Sequence, residues 1–200
     1  MDARSWDERY AETELVWSAG PNAFVARELT GHPVGRALDL AAGEGRNALW
    51  LAEQGFEVEA VEFSEVALDK ARTIAEQRGL ALTYTRADLT AELDLEPADL
   101  VLIAYLHLAR AQERDVLRRA AALVAPGGTF LLVAHARRNL TDGVGGPPDA
   151  ELLPTPEDIT GALDGTGLEL LHAGEVTREV EVEGATRTAI DVLVRAERPA

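Results

Sequence analysis

The run Ala37-Leu38-Asp39-Leu40-Ala41-Ala42-Gly43-Glu44-Gly45-Arg46-Asn47-Ala48 reads as a strand that passes through two glycines directly into a helix. Glycine at such a junction lets a ligand approach backbone amides with no side chain between, and those amides open a helix N-terminus. The spacing satisfies a dinucleotide fingerprint, with Gly43, Gly45 and Ala48 as G-x-G-x-x-A and Glu62 placed as a ribose-binding acid. Asp39 points to a different ligand. A carboxylate inside the strand sits badly beside a pyrophosphate and well beside a cationic amino acid.

Outward from this run the chain alternates between strands and helices. Strands are expected at 36–41, 57–62, 81–87, 98–104 and 129–135, and two of them are apolar at consecutive positions over 100–104 and 130–134. A strand buried on both faces reads that way. Helical spacing joins Ala48, Leu49, Leu51 and Ala52, then Val66, Ala67, Lys70, Ala71, Ile74 and Ala75 after Ser64 as N-cap, with Gly79 as the stop. A third helix carries Val116, Leu117, Ala120, Leu123 and Val124 and ends at Pro126-Gly127-Gly128. This order requires parallel strands with right-handed crossovers. Two alternating runs, 175–182 and 185–195, flank Glu183-Gly184 as a hairpin. The expected fold is therefore α/β, a Rossmann-like, mostly parallel seven-stranded sheet with helices on both faces and a C-terminal antiparallel hairpin. One domain spans 1–200: an N-terminal cap at 1–31, a ligand-binding core at 36–135, and a substrate-side loop and hairpin at 136–200. The Pro- and Gly-rich stretch 143–156 reads as a long loop, a frequent carrier of function.

Composition narrows the function. With 35 acidic against 19 basic residues the net charge is −16, which repels phosphate backbones and anionic lipid headgroups. Neither nucleic acid nor membrane is an expected partner. The absence of Cys excludes disulfide scaffolds, cysteine nucleophiles and thiolate metal sites. No pair of the four His lies at metal-ligand spacing, so no metal site is expected. An acidic N-terminus and the lack of a long apolar run lead to a cytoplasmic expectation.

Asp39, Gly43 and Gly45 together resemble the loop of class I S-adenosylmethionine-dependent methyltransferases, with Ala41 in place of that family's first glycine. Ala41 is expected to tolerate the change by keeping a negative φ at the strand end. Further along, Glu62 resembles the acid that accepts the ribose hydroxyls and Phe63 the apolar ring beside adenine. Asp88 resembles the acid near the adenine amino group, with Leu89 packing on the ring, and Pro126-Gly127-Gly128 resembles the turn before the fifth strand. Trp6-Asp7-Glu8-Arg9-Tyr10, Val16-Trp17 and residues 38–47 resemble more narrowly the tellurite-resistance and thiopurine-type branch. The resemblance implies S-adenosyl-L-methionine as cofactor, a small-molecule acceptor, and N-terminal aromatics, Trp17 among them, bordering the cofactor. Arg46 is a candidate for the cofactor carboxylate, and Ala104 completes the cofactor set at the end of the fourth strand.

Of the His residues, His32 precedes Pro33 in a turn and His172 is expected to end a strand far from the glycine loop, which marks both as structural. His135 ends the fifth strand, and His107 with Tyr105 follows the fourth, at the edge where open α/β sheets bind ligands. His135, Tyr105 and His107 are the candidates for proton transfer, in that order. Arg137, Arg138 and Asn139 are read either as anion-binding or as a solvated basic turn. Ala104-Tyr105-Leu106-His107 lacks the Asn-Pro-Pro-aromatic pattern of methyltransferases acting on nucleobase or glutamine amides. The rival functions are a nucleoside-binding module without turnover and an NAD(P)-dependent oxidoreductase.

Overall fold

The computed structural model describes residues 3–12, 20–182 and 184–200. The chain forms two compact units, Met1–Ala104 and Tyr105–Ala200. The first holds α1 (Ala3–Ala11), α2 (Ala23–Leu29), β1 (Arg36–Leu40), α3 (Arg46–Glu53), β2 (Glu57–Glu62), α4 (Glu65–Arg78), β3 (Thr83–Arg86) and β4 (Ala98–Ala104). The second holds α5 (Arg110–Ala122), β5 (Val124–His135), α6 (Asn139–Asp142), α7 (Pro156–Leu163), β6 (Glu169–Val182) and β7 (Ala185–Glu197). The strands form a seven-stranded sheet in the order β3-β2-β1-β4-β5-β7-β6. The expected α/β class with a C-terminal hairpin is the observed one.

In the first unit β1 pairs parallel with both β2 and β4, which places Asp39 between Ala60 and Leu102. Asp39 is buried at that position. Leu38, Leu40, Val61, Leu68, Leu100 and Leu102 fill the surrounding core. Helix α4 begins and ends where expected: Ser64 Oγ accepts from the Ala67 amide, and Gly79 closes the helix at φ 67°.

In the second unit β7 pairs antiparallel with β5 and with β6. Several boundaries differ from the sequence expectation. β3 is shorter, while β5 starts at Val124 and absorbs Pro126-Gly127-Gly128, which was expected to precede it. The Gly127 amide donates to Arg198 O and the Arg198 amide to Gly128 O, so backbone pairing continues through the turn residues. β6 starts at Glu169, which puts His172 inside a strand, at a register irregularity, rather than at its end. Helices α1, α6 and α7 add to the expected set. α7 opens with a full capping box between Thr155 and Asp158, with Pro156 in its first turn.

Buried Asn139 orders the loop that follows β5. Its Oδ1 accepts from the Ile190 amide at 2.7 Å, and its Nδ2 donates to Val144 O at 3.2 Å and Gly145 O at 2.8 Å. Gly143 is required beside it, because a Cβ there would collide with Asn139 Oδ1. Asn139→Ala is expected to cost about 1–3 kcal/mol in urea unfolding, since it leaves the buried Ile190 amide without its partner and removes two part-buried bonds to the loop.

Candidate active site

In the first unit the site is built on Asp39 and the loop after it. Asp39 is buried, and neither carboxylate oxygen has a well-formed hydrogen bond. Burial raises its pKa to about 7, opposed by the Ala48 amide and the charge of Arg46 and reinforced by Glu62. An unsatisfied carboxylate in a parallel core is costly unless a cation joins it. The loop itself turns through positive φ at Ala41 (62°), Gly43 (56°) and Gly45 (78°). The negative φ expected for Ala41 is thus incorrect: the chain reverses directly after β1, and Ala adopts the left-handed conformation that glycine takes freely. Gly45 is needed twice over, for its φ and because a Cβ there would lie 2.9 Å from Ala71 Cβ.

Glu62, at the end of β2, is held by three amides. Gly43 N–H donates to Oε2 at 2.9 Å, and Phe63 and Ser64 N–H donate to Oε1 at 3.0 Å each. Burial raises its pKa, the three amides lower it, and Asp7 raises it again. Ser64 is shared: its amide serves Glu62, and its hydroxyl donates to Asp7 Oδ1 of α1. Lys70 adds a second tether to α1, donating to Tyr10 O at 2.6 Å and to buried Glu44 at 3.0 Å. Trp6 and Tyr10 stack at 5.4 Å and pack with Ala67, Phe63 and Val66. Asn47 Oδ1 accepts the Asn22 amide at 2.9 Å, which joins the start of α2 to α3.

The remaining cofactor candidates fall in different settings. Phe63 is half-buried against the α1 aromatics, and Leu89 is buried. Asp88 is exposed, with Oδ1 accepting from the amide and hydroxyl of Thr90, so it caps its own turn. Ala104 is half-buried at the end of β4. Trp17 lies outside the described residues.

The second unit gathers all three proton-transfer candidates. His135 stacks obliquely on Tyr105 at 4.5 Å and lies near-parallel to His107 at 6.1 Å. Tyr105 holds φ 59° and donates its amide to Val133 O at 2.8 Å. Gly146 closes over His135: a Cβ there would lie 3.0 Å from its ring. Asp191, which sequence reading missed, is the hub of this cluster. His135 Nδ1 lies 3.0 Å from its Oδ1, while Tyr105 Oη at 3.0 Å and Arg178 Nε at 2.7 Å donate to Oδ2. Burial would raise the Asp191 carboxyl, but His135 and Arg178 together hold it below its ordinary range. The available signal was a lone acid within the apolar run Ala189-Ile190-Asp191-Val192-Leu193-Val194. Arg137 and Arg138 are exposed and pair with Asp158 and Glu175 at 2.8 Å each, while Asn139 beside them is buried.

Among the described residues no helix is long and apolar enough to cross a membrane, and no three His, Asp or Glu side chains converge as a metal site would need.

Residues 37–128 match the family model of the methyltransferase domain. The chain is 37% identical over 108 residues to the ubiquinone biosynthesis O-methyltransferase of Caulobacter sp. (strain K31), covering 52% of this chain and 42% of that protein. It is 29% identical over 110 residues to the tRNA 5-carboxymethoxyuridine methyltransferase of Escherichia coli (strain K12), again covering 52% and 42%. The chain thus spans less than half the length of these curated relatives. In fold it resembles TehB from Haemophilus influenzae, with a TM-score of 0.74 at 19% identity over 89% of this chain and 62% of that one.

Two measurements test the loop. Ala41→Gly is expected to raise stability by about 0.5–1 kcal/mol, the left-handed cost of the alanine less the extra chain entropy of glycine. For Asp39, ionisation at 3.8 when unfolded and about 7 when folded means that the folded state binds the extra proton in between. Stability without ligand therefore falls as pH rises through that window. In urea melts, the stability of Asp39→Asn relative to wild type should climb by up to about 1.4 kcal/mol per pH unit inside the window and level off above it.

Proposed function

We propose that the protein is a class I S-adenosylmethionine-dependent methyltransferase that transfers the sulfonium methyl to a small-molecule acceptor as a single domain in the cytoplasm. The observation that carries this reading is the buried Asp39 carboxylate, unpaired among the described residues, beside a loop that turns through positive φ at Ala41, Gly43 and Gly45. S-adenosylmethionine brings a cationic amino-acid group to such a carboxylate, a ribose diol for an acid and an electrophilic methyl. Asp39 would hold the ammonium, and Arg46 the carboxylate. Glu62, with Oε2 engaged by one amide only, would accept ribose hydroxyls. Phe63, Leu89 and Asp88 would border adenine, with the backbone of Ala41, Gly43 and Gly45, together with Ala104 and Trp17, completing the enclosure. The residues' work is alignment and exclusion of water, plus proton removal by His135, with Tyr105 and His107 beside it.

A small acceptor suits the −16 net charge, which opposes a polyanion. The tRNA-modifying relative makes tRNA the acceptor to test against it. The aromatic and ionic docking of α1 beside Glu62 supports residues 1–31 as a cap over the cofactor.

Isothermal titration with S-adenosylmethionine, S-adenosylhomocysteine and nicotinamide dinucleotides separates the cofactor classes. Mass spectrometry of thiols, amines, hydroxyls, chalcogen oxyanions and tRNA incubated with cofactor then separates enzyme from binding module and identifies the acceptor class. Glu62→Ala should weaken S-adenosylhomocysteine binding by about 2–4 kcal/mol, through loss of charge-assisted bonds to the ribose. An unchanged affinity in a folded variant removes Glu62 from the site.

A further inference from the structure

The hydrogen-bonding register sets His135 directly opposite Asp191, and Arg178 diagonal to it, on one face of β5, β7 and β6. Cross-strand neighbours on one face are the closest side-chain contacts a sheet offers. His135 is 7% exposed and Asp191 fully buried, so solvent does not compete for their bond. A carboxylate that receives Tyr105 Oη and Arg178 Nε on one oxygen is an acceptor only. The His135 nitrogen facing its other oxygen must therefore be the donor. In the neutral imidazole that assigns the proton to Nδ1 and the lone pair to Nε2.

On the reading of the protein as a methyltransferase, we infer that Asp191 is a positioning residue that holds His135 in its Nδ1–H form, and that the acceptor is a neutral hydroxyl whose proton Nε2 removes. As the acceptor oxygen bonds to the methyl carbon, the carbon–sulfur bond breaks with its electron pair left on sulfur. The hydroxyl proton moves to Nε2. The resulting imidazolium lies against the Asp191 carboxylate, so the cluster stabilises the charge that develops. An acceptor already anionic at neutral pH, such as a thiolate, would need none of this. Arg178 and Tyr105 occupy the second oxygen and keep Asp191 from rotating away. The left-handed φ of Tyr105 is strain retained at the same point.

The test uses the full chain saturated with S-adenosylhomocysteine and 15N-labelled at histidine. Wild type should show His135 protonated at Nδ1 and unprotonated at Nε2; the opposite tautomer overturns the inference whatever any variant does. Asp191→Asn should lose that fixed tautomer while still binding S-adenosylhomocysteine. With S-adenosylmethionine and ring-substituted phenols, Asp191→Asn should lower kcat by about 10²–10⁴-fold on weakly acidic phenols, with little change in KM. The loss should shrink several-fold or more on nitrophenols that ionise unaided. Equal losses across the series, or methylation of thiols but of no hydroxyl, overturn the inference. Failure of wild type to bind S-adenosylhomocysteine is the separate result that removes the methyltransferase reading itself.

Discussion

Three backbone N–H groups converge on the Glu62 carboxylate, and the first unit is organised around that convergence. One comes from the glycine loop after β1 and two from the entrance to α4, so a single buried side chain fixes the loop between two elements far apart in sequence. Hydrogen bonds to an ionised acceptor are roughly twice as strong as neutral ones and more directional. Through Ser64 the same interaction reaches Asp7 and α1, and through the fixed loop it reaches Glu44, Lys70 and Tyr10. Glu62 is therefore coupled to α1 through two separate routes.

Asp39 is the opposite case. Glu62 is buried and held by three amides, whereas Asp39, buried one strand away, has no well-formed hydrogen bond among the described residues. Its neighbours in β2 and β4 are Ala60 and Leu102. The free protein meets this cost by keeping the carboxyl protonated well above its ordinary range. A cation brought beside the carboxylate would offset that cost, which is the physical basis of the role proposed for Asp39.

Most of the first unit was legible because its signals are local. An apolar run marks β4, Ser64 and Gly79 bracket α4, and the acid–glycine run locates β1 and the loop after it. Pro126-Gly127-Gly128 misled because a turn signal cannot foresee pairing with Arg198, more than sixty residues later. The first turn of α7 was legible in Thr155-Pro156-Glu157-Asp158, a capping box hidden within a stretch read as loop. The hairpin at Glu183-Gly184 carried the β6–β7 register, which sets Asp191 opposite Val176 and diagonal to Arg178. What it did not carry was the register of β7 on β5. That pairing spans a long connection with no turn to count from, and only it brings Asp191 to His135.

Among the described residues, two non-glycine positions hold positive φ, and each follows directly on a strand: Ala41 after β1 and Tyr105 after β4. Nothing in their side chains favours that conformation, so the surrounding structure imposes it. At Ala41 the imposition comes from a loop that must reverse at once to present the Gly43 amide to Glu62. At Tyr105 it comes from an amide fixed on Val133 together with a ring and hydroxyl that must reach His135 and Asp191. Backbone strain of about 1–3 kcal/mol at each position persists only where the neighbouring bonds over-determine the geometry. In each unit the strained residue thus adjoins a buried polar cluster, Glu62 with its three amides in one and His135 with Asp191 in the other.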